Sequence, residues 1–119
     1  MKSLIVSSAL LLILVVLIVI NSLYINNVAK DLQLRAEGLP DDPRLAVADA
    51  ARILSDWQRA APIITLSANH NLVDRIEEQA RVLSATAACG DLHGYVTARV
   101  LFSDALEDLL RPESLRGAV

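Results

Sequence analysis

The chain begins with an apolar stretch that differs from everything after it. Between Leu4 and Ile20 the only polar residues are two serines, and after a short polar interruption at 21–22 the apolar character continues to Ile25. Residues 4–25 would form a helix roughly 33 Å long, which is enough to cross the hydrocarbon core of a bilayer. The other residues are too few to surround a helix that is apolar on every side, so the pattern predicts a helix in lipid rather than a buried core helix.

The same stretch resembles the start of a secretory signal peptide, which leaves two alternatives for its fate. Signal peptidase sites have small residues at alternating positions, and cuts after Ser22 or Ala29 would lack that pattern. We therefore expect an uncleaved signal-anchor helix, with Tyr24 as an aromatic anchor at the far interface.

The charges that flank the span predict its orientation. Lys2 lies next to one end, whereas Lys30 and Arg35 lie five and ten residues beyond the other. Because Lys and Arg close to a span tend to stay inside, we expect a single-pass protein of the cytoplasmic membrane with its amino terminus in the cytoplasm and residues 30–119 outside.

Residues 30–119 show helical spacing and no strand alternation. The anchor helix is expected to continue to Gly38, and Asp42 before Pro43 is typical of a capped helix start. That second helix should bend at Pro62 and run to about Ala68. A third helix would be capped by Asn69 or Asn71 and ended by Gly90, and a fourth would run from the cap Asp91 to Pro112. The predicted apolar face of the second helix is Val47, Ala50, Leu54, Trp57 and Ala61. That of the third helix is Leu72, Val73, Ile76, Ala80, Leu83 and Ala87. That of the fourth helix is Leu92, Tyr95 or Val96, Arg99, Phe102, Leu106 and Leu109.

These helices predict an all-α protein: an N-terminal transmembrane helix followed by a small antiparallel three- or four-helix bundle. We divide it into a membrane anchor (1–29), a juxtamembrane helix and turn (30–42) and a helical bundle (43–119). Trp57 is expected to be the largest core residue. A core of this size, poor in aromatic residues, is marginal unless it is well packed or oligomeric.

Composition removes several function classes. Residues 30–119 carry ten Lys or Arg and fourteen Asp or Glu, a formal net charge of −4, so we expect no nucleic-acid partner. The isolated glycines form no phosphate-binding loop, so we expect no nucleotide partner and no cofactor. The single cysteine, Cys89, excludes an intrachain disulfide and is expected to be a small packing residue, and a break at Gly90 separates it from His93. We expect no enzymatic activity.

One cluster has the composition of a metal site. His70, Asp74, Glu77 and Glu78 follow one another at helical spacings, and imidazole and carboxylate ligands suit zinc or manganese. Such a site would need a ligand from a second element, for which His93 is the candidate. The alternative, which we favour, is a solvated acidic face in which Glu77 pairs with Arg81.

The layout resembles a family of small single-span bacterial membrane proteins that is classed as a domain of unknown function. The residues that carry this resemblance are Trp57, His70, Asp74, Ile76, Glu77, Arg81 and Leu83, followed by Leu110, Pro112, Glu113 and Leu115. The resemblance implies architecture and location, and it brings no catalytic residue.

Two functional hypotheses follow from the sequence. The first is a non-enzymatic interaction or structural component of the bacterial cell envelope, whose partners are the lipid bilayer through residues 4–25 and a second copy or another envelope protein. The alternative is a metal-binding envelope protein that uses His70, Asp74 and Glu77. A phage-type lysis or accessory protein would have the same plan, and only neighbouring genes would separate it from the first hypothesis.

Overall fold

The computed structural model describes residues 2–66 and 68–111, and these are helical with no β-strand. Helix α1 spans Lys2–Glu37, a single 3-10 turn spans Pro43–Ala46, and α2, α3 and α4 span Val47–Ile64, His70–Cys89 and Leu92–Leu110. The predicted fold class, an N-terminal apolar helix followed by a helical bundle, is confirmed. Ser67 and residues 112–119, including the predicted helix end at Pro112, lie outside the described residues.

Helix α1 has two halves with different surroundings. Its large apolar side chains from Leu4 to Leu23 are exposed, and it is the one helix of the described chain that is long and apolar enough to cross a membrane. From Ile25 onward one face of the same helix enters the bundle core, with Ala29 and Leu32 almost fully buried. No proline or glycine interrupts residues 2–37, so the helix continues without a break from its exposed half into the bundle.

The helix ends follow local sequence signals. The Asp42 side chain accepts a hydrogen bond from the Arg44 backbone N–H, Asn69 caps α3 and Asp91 caps α4. Gly90 ends α3 in the left-handed conformation, at a φ of 74°, as expected for a glycine after a helix.

The end of α2 differs from the prediction. The helix contains Pro62 but stops at Ile64 instead of continuing to Ala68. Pro62 lies in the last turn, where the Thr65 backbone N–H donates to the Ala61 carbonyl and the Leu66 backbone N–H donates to the Ile63 carbonyl. Pro62 removes one backbone donor from the helix, and the helix ends two residues later.

The buried faces match the predicted ones in one helix and shift in two. All six residues of the predicted α3 face are buried. In α2 the core takes Ile53 and Ala60 in place of their predicted neighbours Leu54 and Ala61, which are only half-buried. Val47, also predicted for this face, is exposed, whereas Trp57 is fully buried as predicted. In α4 the predicted face loses Leu92, which is exposed, and Arg99, which is half-buried, and of the alternatives Tyr95 and Val96 only Tyr95 is buried. The buried residues there are Tyr95, Ala98, Phe102, Ala105, Leu106 and Leu109.

Contacts between helices show that neighbouring elements run in opposite directions. Gln33 on α1 donates to Glu107 on α4 at 2.8 Å, while Arg99, eight residues earlier on α4, reaches Leu39 beyond the end of α1. The molecule measures 66 × 22 × 18 Å, because the exposed half of α1 projects from one end of the bundle. We call that end the proximal end, and the end that carries Pro43–Ala46 and Gly90 the distal end.

Candidate interaction surfaces

The distal end is closed by two side chains of α4 that bond to the chain leaving α1. The Tyr95 hydroxyl donates to the Pro40 carbonyl at 2.5 Å, and Arg99 Nη1 donates to the Leu39 carbonyl at 3.1 Å. Arg99 also lies 3.5 Å from a carboxylate oxygen of Asp41, and its guanidinium carbon is 5.7 Å from the centre of the Tyr95 ring. These bonds use carbonyls that α1 no longer pairs, so Arg99 is accounted for within the chain.

Burial also affects the chemistry of Tyr95. The side chain is fully buried, and this burial raises the pKa of its phenol above the ordinary value of 10, although the positive charge of Arg99 acts in the opposite direction. At neutral pH the phenol is therefore protonated, and its hydroxyl donates to the Pro40 carbonyl.

An ion pair joins α1 to α2 beside a shallow groove. Arg35 Nη1 lies 2.7 Å from Asp56 Oδ2 and 3.6 Å from Asp31 Oδ2, and the hydrogen bond to Asp56 raises the pKa of Arg35. The groove, of about 220 Å³, runs from this pair to Tyr24 and is open to solvent. The guanidinium of Arg35 and the carboxylate of Asp56 are half-buried and neutralise one another, so this pair has the character of a structural link between helices.

These contacts set the axial positions of the helix ends at the proximal end. Asn27 lies eight residues before Arg35 on α1, and Ile64 lies eight residues after Asp56 on α2. Asn27 and Ile64 therefore both lie roughly 12 Å from the ion pair, toward the proximal end. Arg75 on α3 pairs with Asp108 on α4. The preceding residue of α4, Glu107, accepts the hydrogen bond from Gln33 on α1. The beginning of α3 and the turn that precedes it therefore lie near the level at which α1 leaves the bundle.

Several large apolar side chains of the bundle are exposed singly, among them Leu34, Leu45 and Leu101, and the members of two further sets lie next to one another. At the proximal end, Leu66 is 84% exposed and Ile63 is 45% exposed. On α4, Leu92, Val96 and Val100 recur at intervals of four residues and are all exposed. That second set, which we call the distal stripe, begins beyond the end of α1 and has no covering element among the described residues.

The candidate metal ligands are not brought together. His70 and Asp74 are exposed near the proximal end, and Glu77 bonds to Arg81 at 3.2 Å. His93 stands at the start of α4, at the distal end, because α3 carries the chain about 30 Å away from His70. Within residues 2–66 and 68–111 no three His, Cys, Asp or Glu side chains form a group that could hold a metal ion.

Cys89 differs from its predicted role. The thiol is exposed and not packed, with its sulfur 3.8 Å from the Thr86 carbonyl oxygen. It occupies the last position of α3, where the helix surface turns to solvent before Gly90.

No family model, no curated protein and no solved structure matches this chain. The resemblance to a family of small single-span bacterial membrane proteins therefore stays a prediction. Its residues Pro112, Glu113 and Leu115 lie outside the described part of the chain.

Two of the surfaces described above were missed by analysis of the sequence. The exposure of Leu66 follows from α2 ending at Ile64, and the distal stripe follows from the rotation of α4 that buries Ala98 and Ala105. A signal for the first was present: residues 60–73 form the longest run without Asp, Glu, Lys or Arg after Lys30.

Proposed function

We propose that this chain is a non-enzymatic, single-pass membrane protein that holds a small helical bundle against a bacterial membrane, where the bundle binds another envelope protein or a second copy. The observation that carries the proposal is the distal stripe. It stands at the end of the bundle opposite the apolar half of α1, which is where a tethered protein would meet a partner.

The retention of the anchor is supported by the core. Ile25 and Ala29 are 3% and 0% exposed, so a cut after Ala29 would remove both from the bundle interior. A cut after Ser22 would leave the bundle with a frayed helix start at its edge. An uncleaved anchor keeps both core residues in a continuous helix.

The proposed orientation places the amino terminus in the cytoplasm and the bundle on the outer side of the cytoplasmic membrane. The proximity of Lys2 to the span supports it, since Lys30 is five residues from the other end. The test is a protease-accessibility blot on intact cells and spheroplasts that express the full chain with a carboxy-terminal tag. We expect a full-length, membrane-bound product whose tag external protease destroys, whereas a protected tag would reverse the orientation and a shortened soluble product would refute the anchor.

Crosslinking in membranes tests the interaction. We expect a crosslinked dimer or heteromeric adduct that disappears when Val96 and Val100 are both replaced by Asp. Leu101→Asp is the matched control, because Leu101 is exposed on the same helix but lies on another face. An uncrosslinked monomer that copurifies with no protein in mild detergent would contradict the proposal.

A further inference from the structure

We propose that the turn between α2 and α3 is a second membrane contact, in which Leu66 and Ile63 insert into the lipid interface beside the point where α1 enters the bilayer. The occupant of this apolar surface is lipid. The inference rests on α1 spanning the membrane, as proposed above, but it is independent of which side the bundle occupies.

The first support is the axial level of the turn. If hydrocarbon begins at Leu4, a core about 30 Å thick ends near Leu23, and the headgroup region extends roughly 5–7 Å further, to about Val28. Ile64, at the end of α2, lies roughly level with Asn27. Leu66 therefore falls within the headgroup region and close to the hydrocarbon boundary.

The second support is the rigidity of the connection. Helix α1 crosses from its exposed half into the bundle without proline, glycine or a change of helix type, and its Ile25 and Ala29 are already part of the core. The bundle is therefore not separated from the bilayer by a linker that would let it lift away. Its proximal end is held at the surface.

The third support is the difference in charge between the α2–α3 segment and the connections at the distal end. Residues 60–73 carry no Asp, Glu, Lys or Arg, whereas the distal connections contain Asp41, Asp42, Arg44 and Asp91. A turn that faces water commonly carries such charges, and an uncharged turn with an 84% exposed leucine is suited to a lipid interface. Leu66 and Ile63, which are both exposed, lie within this uncharged segment.

The experiment places one fluorophore at a time on the full-length protein in liposomes. In a Cys89→Ser background, cysteines are introduced as Leu66→Cys, Leu45→Cys and Leu12→Cys, and each is labelled with an environment-sensitive dye. Leu45 is the matched control because it is also a highly exposed leucine beside a turn, at 72%, but at the distal end. Quenching is measured with iodide from water and with spin-labelled lipids from the bilayer.

We expect the dye at position 66 to show a severalfold smaller iodide quenching constant than the dye at position 45, a blue-shifted emission, and strong quenching by lipid spin labels. Equal iodide quenching at positions 66 and 45 would overturn the inference. Protection from iodide without quenching by lipid labels would also overturn it, since a protein neighbour would then cover the turn. A dye at position 12 that lipid labels fail to quench would instead refute the membrane anchor itself, which separates the two proposals.

Discussion

The indole of Trp57 offers a direct test of the bundle core. Its side chain is fully buried, and its Nε1–H has no hydrogen-bond partner among the described residues. A buried donor without an acceptor costs about 1–3 kcal/mol, so the largest core residue also carries an unfavourable contribution. Replacing it by Phe removes this contribution and retains most of the apolar ring.

The magnitudes predict a large difference between two substitutions at this position. Trp57→Phe loses ring atoms and leaves a small cavity, at a cost of about 1–2 kcal/mol, which the removal of the unpaired donor offsets. We expect its unfolding free energy to stay within about 1 kcal/mol of the parent. Trp57→Ala should cost about 3–5 kcal/mol, which is comparable to the whole stability of a core this small.

The assay is guanidinium unfolding of the full chain in a non-ionic detergent, followed by far-ultraviolet circular dichroism. We expect the apolar half of α1 to stay helical in the micelle, so that the transition reports on the bundle. We expect a normal transition for Trp57→Phe and a bundle largely unfolded without denaturant for Trp57→Ala. If both variants were destabilised equally, the indole N–H would have to have a bonding partner, and the reasoning from its burial would be refuted.

Three further predictions concern the helix ends and the distal contact, and each is measured by the same unfolding assay. Asn69→Ala should cost about 1 kcal/mol because its side chain caps α3, whereas Asn71→Ala should be nearly neutral; equal effects would contradict the capping role. Gly90→Ala should cost about 1–2 kcal/mol through backbone strain at a φ of 74°, since the added methyl would have space, 3.8 Å from Arg44 Nε; a neutral effect would mean that the turn relaxes. Tyr95→Phe should cost about 1 kcal/mol below pH 10 by removing the bond to Pro40. Burial raises the pKa of Tyr95 in the folded protein above that in the unfolded chain, so its contribution is complete below pH 10 and declines as the pH rises through the folded pKa. The phenylalanine variant should lack this part of the alkaline loss, and identical pH profiles for the two proteins would refute it.

Local signals predicted the elements of this fold well. A long apolar stretch without charges identifies α1. The starts of α3 and α4 are marked by a short polar side chain before each helix, and the end of α3 is marked by Gly90. These signals act over a few residues, because caps, stops and hydrophobic length involve only neighbouring backbone groups or the surrounding solvent. The α3 face was predicted completely because its apolar and charged residues are cleanly segregated.

The predicted faces of α2 and α4 were partly wrong for a different reason. Ile53 and Leu54 are adjacent and equally apolar, so helical periodicity allows two overlapping faces, and packing against α1 and α3 selects between them. Small residues such as Ala98 and Ala105 are buried in α4 because they allow close approach of neighbouring helices, a property that hydrophobic periodicity does not weigh.

The candidate sites depended almost entirely on relations between distant residues. His70 and His93 are 23 positions apart, and only the antiparallel course of α3 and α4 shows that they lie at opposite ends of the bundle. Arg99, which the sequence places on the apolar face of the fourth helix, contacts Leu39 and Asp41 some 60 positions earlier in the chain as well as the Tyr95 ring.

The features that could be predicted from the sequence and those that only the packed bundle shows differ in the range of the interactions that produce them. A long apolar helix, a helix cap and a glycine stop depend on interactions among near neighbours or with the solvent, so they can be predicted from the order of residues in the sequence. The rotation of each helix about its axis, the position of Leu66 near the point where α1 leaves the bundle and the exposure of the distal stripe depend on several helices packing at once. Each of these features follows from the arrangement of helices that buries the most apolar surface while its polar groups keep their hydrogen bonds. That arrangement is a property of the assembled bundle.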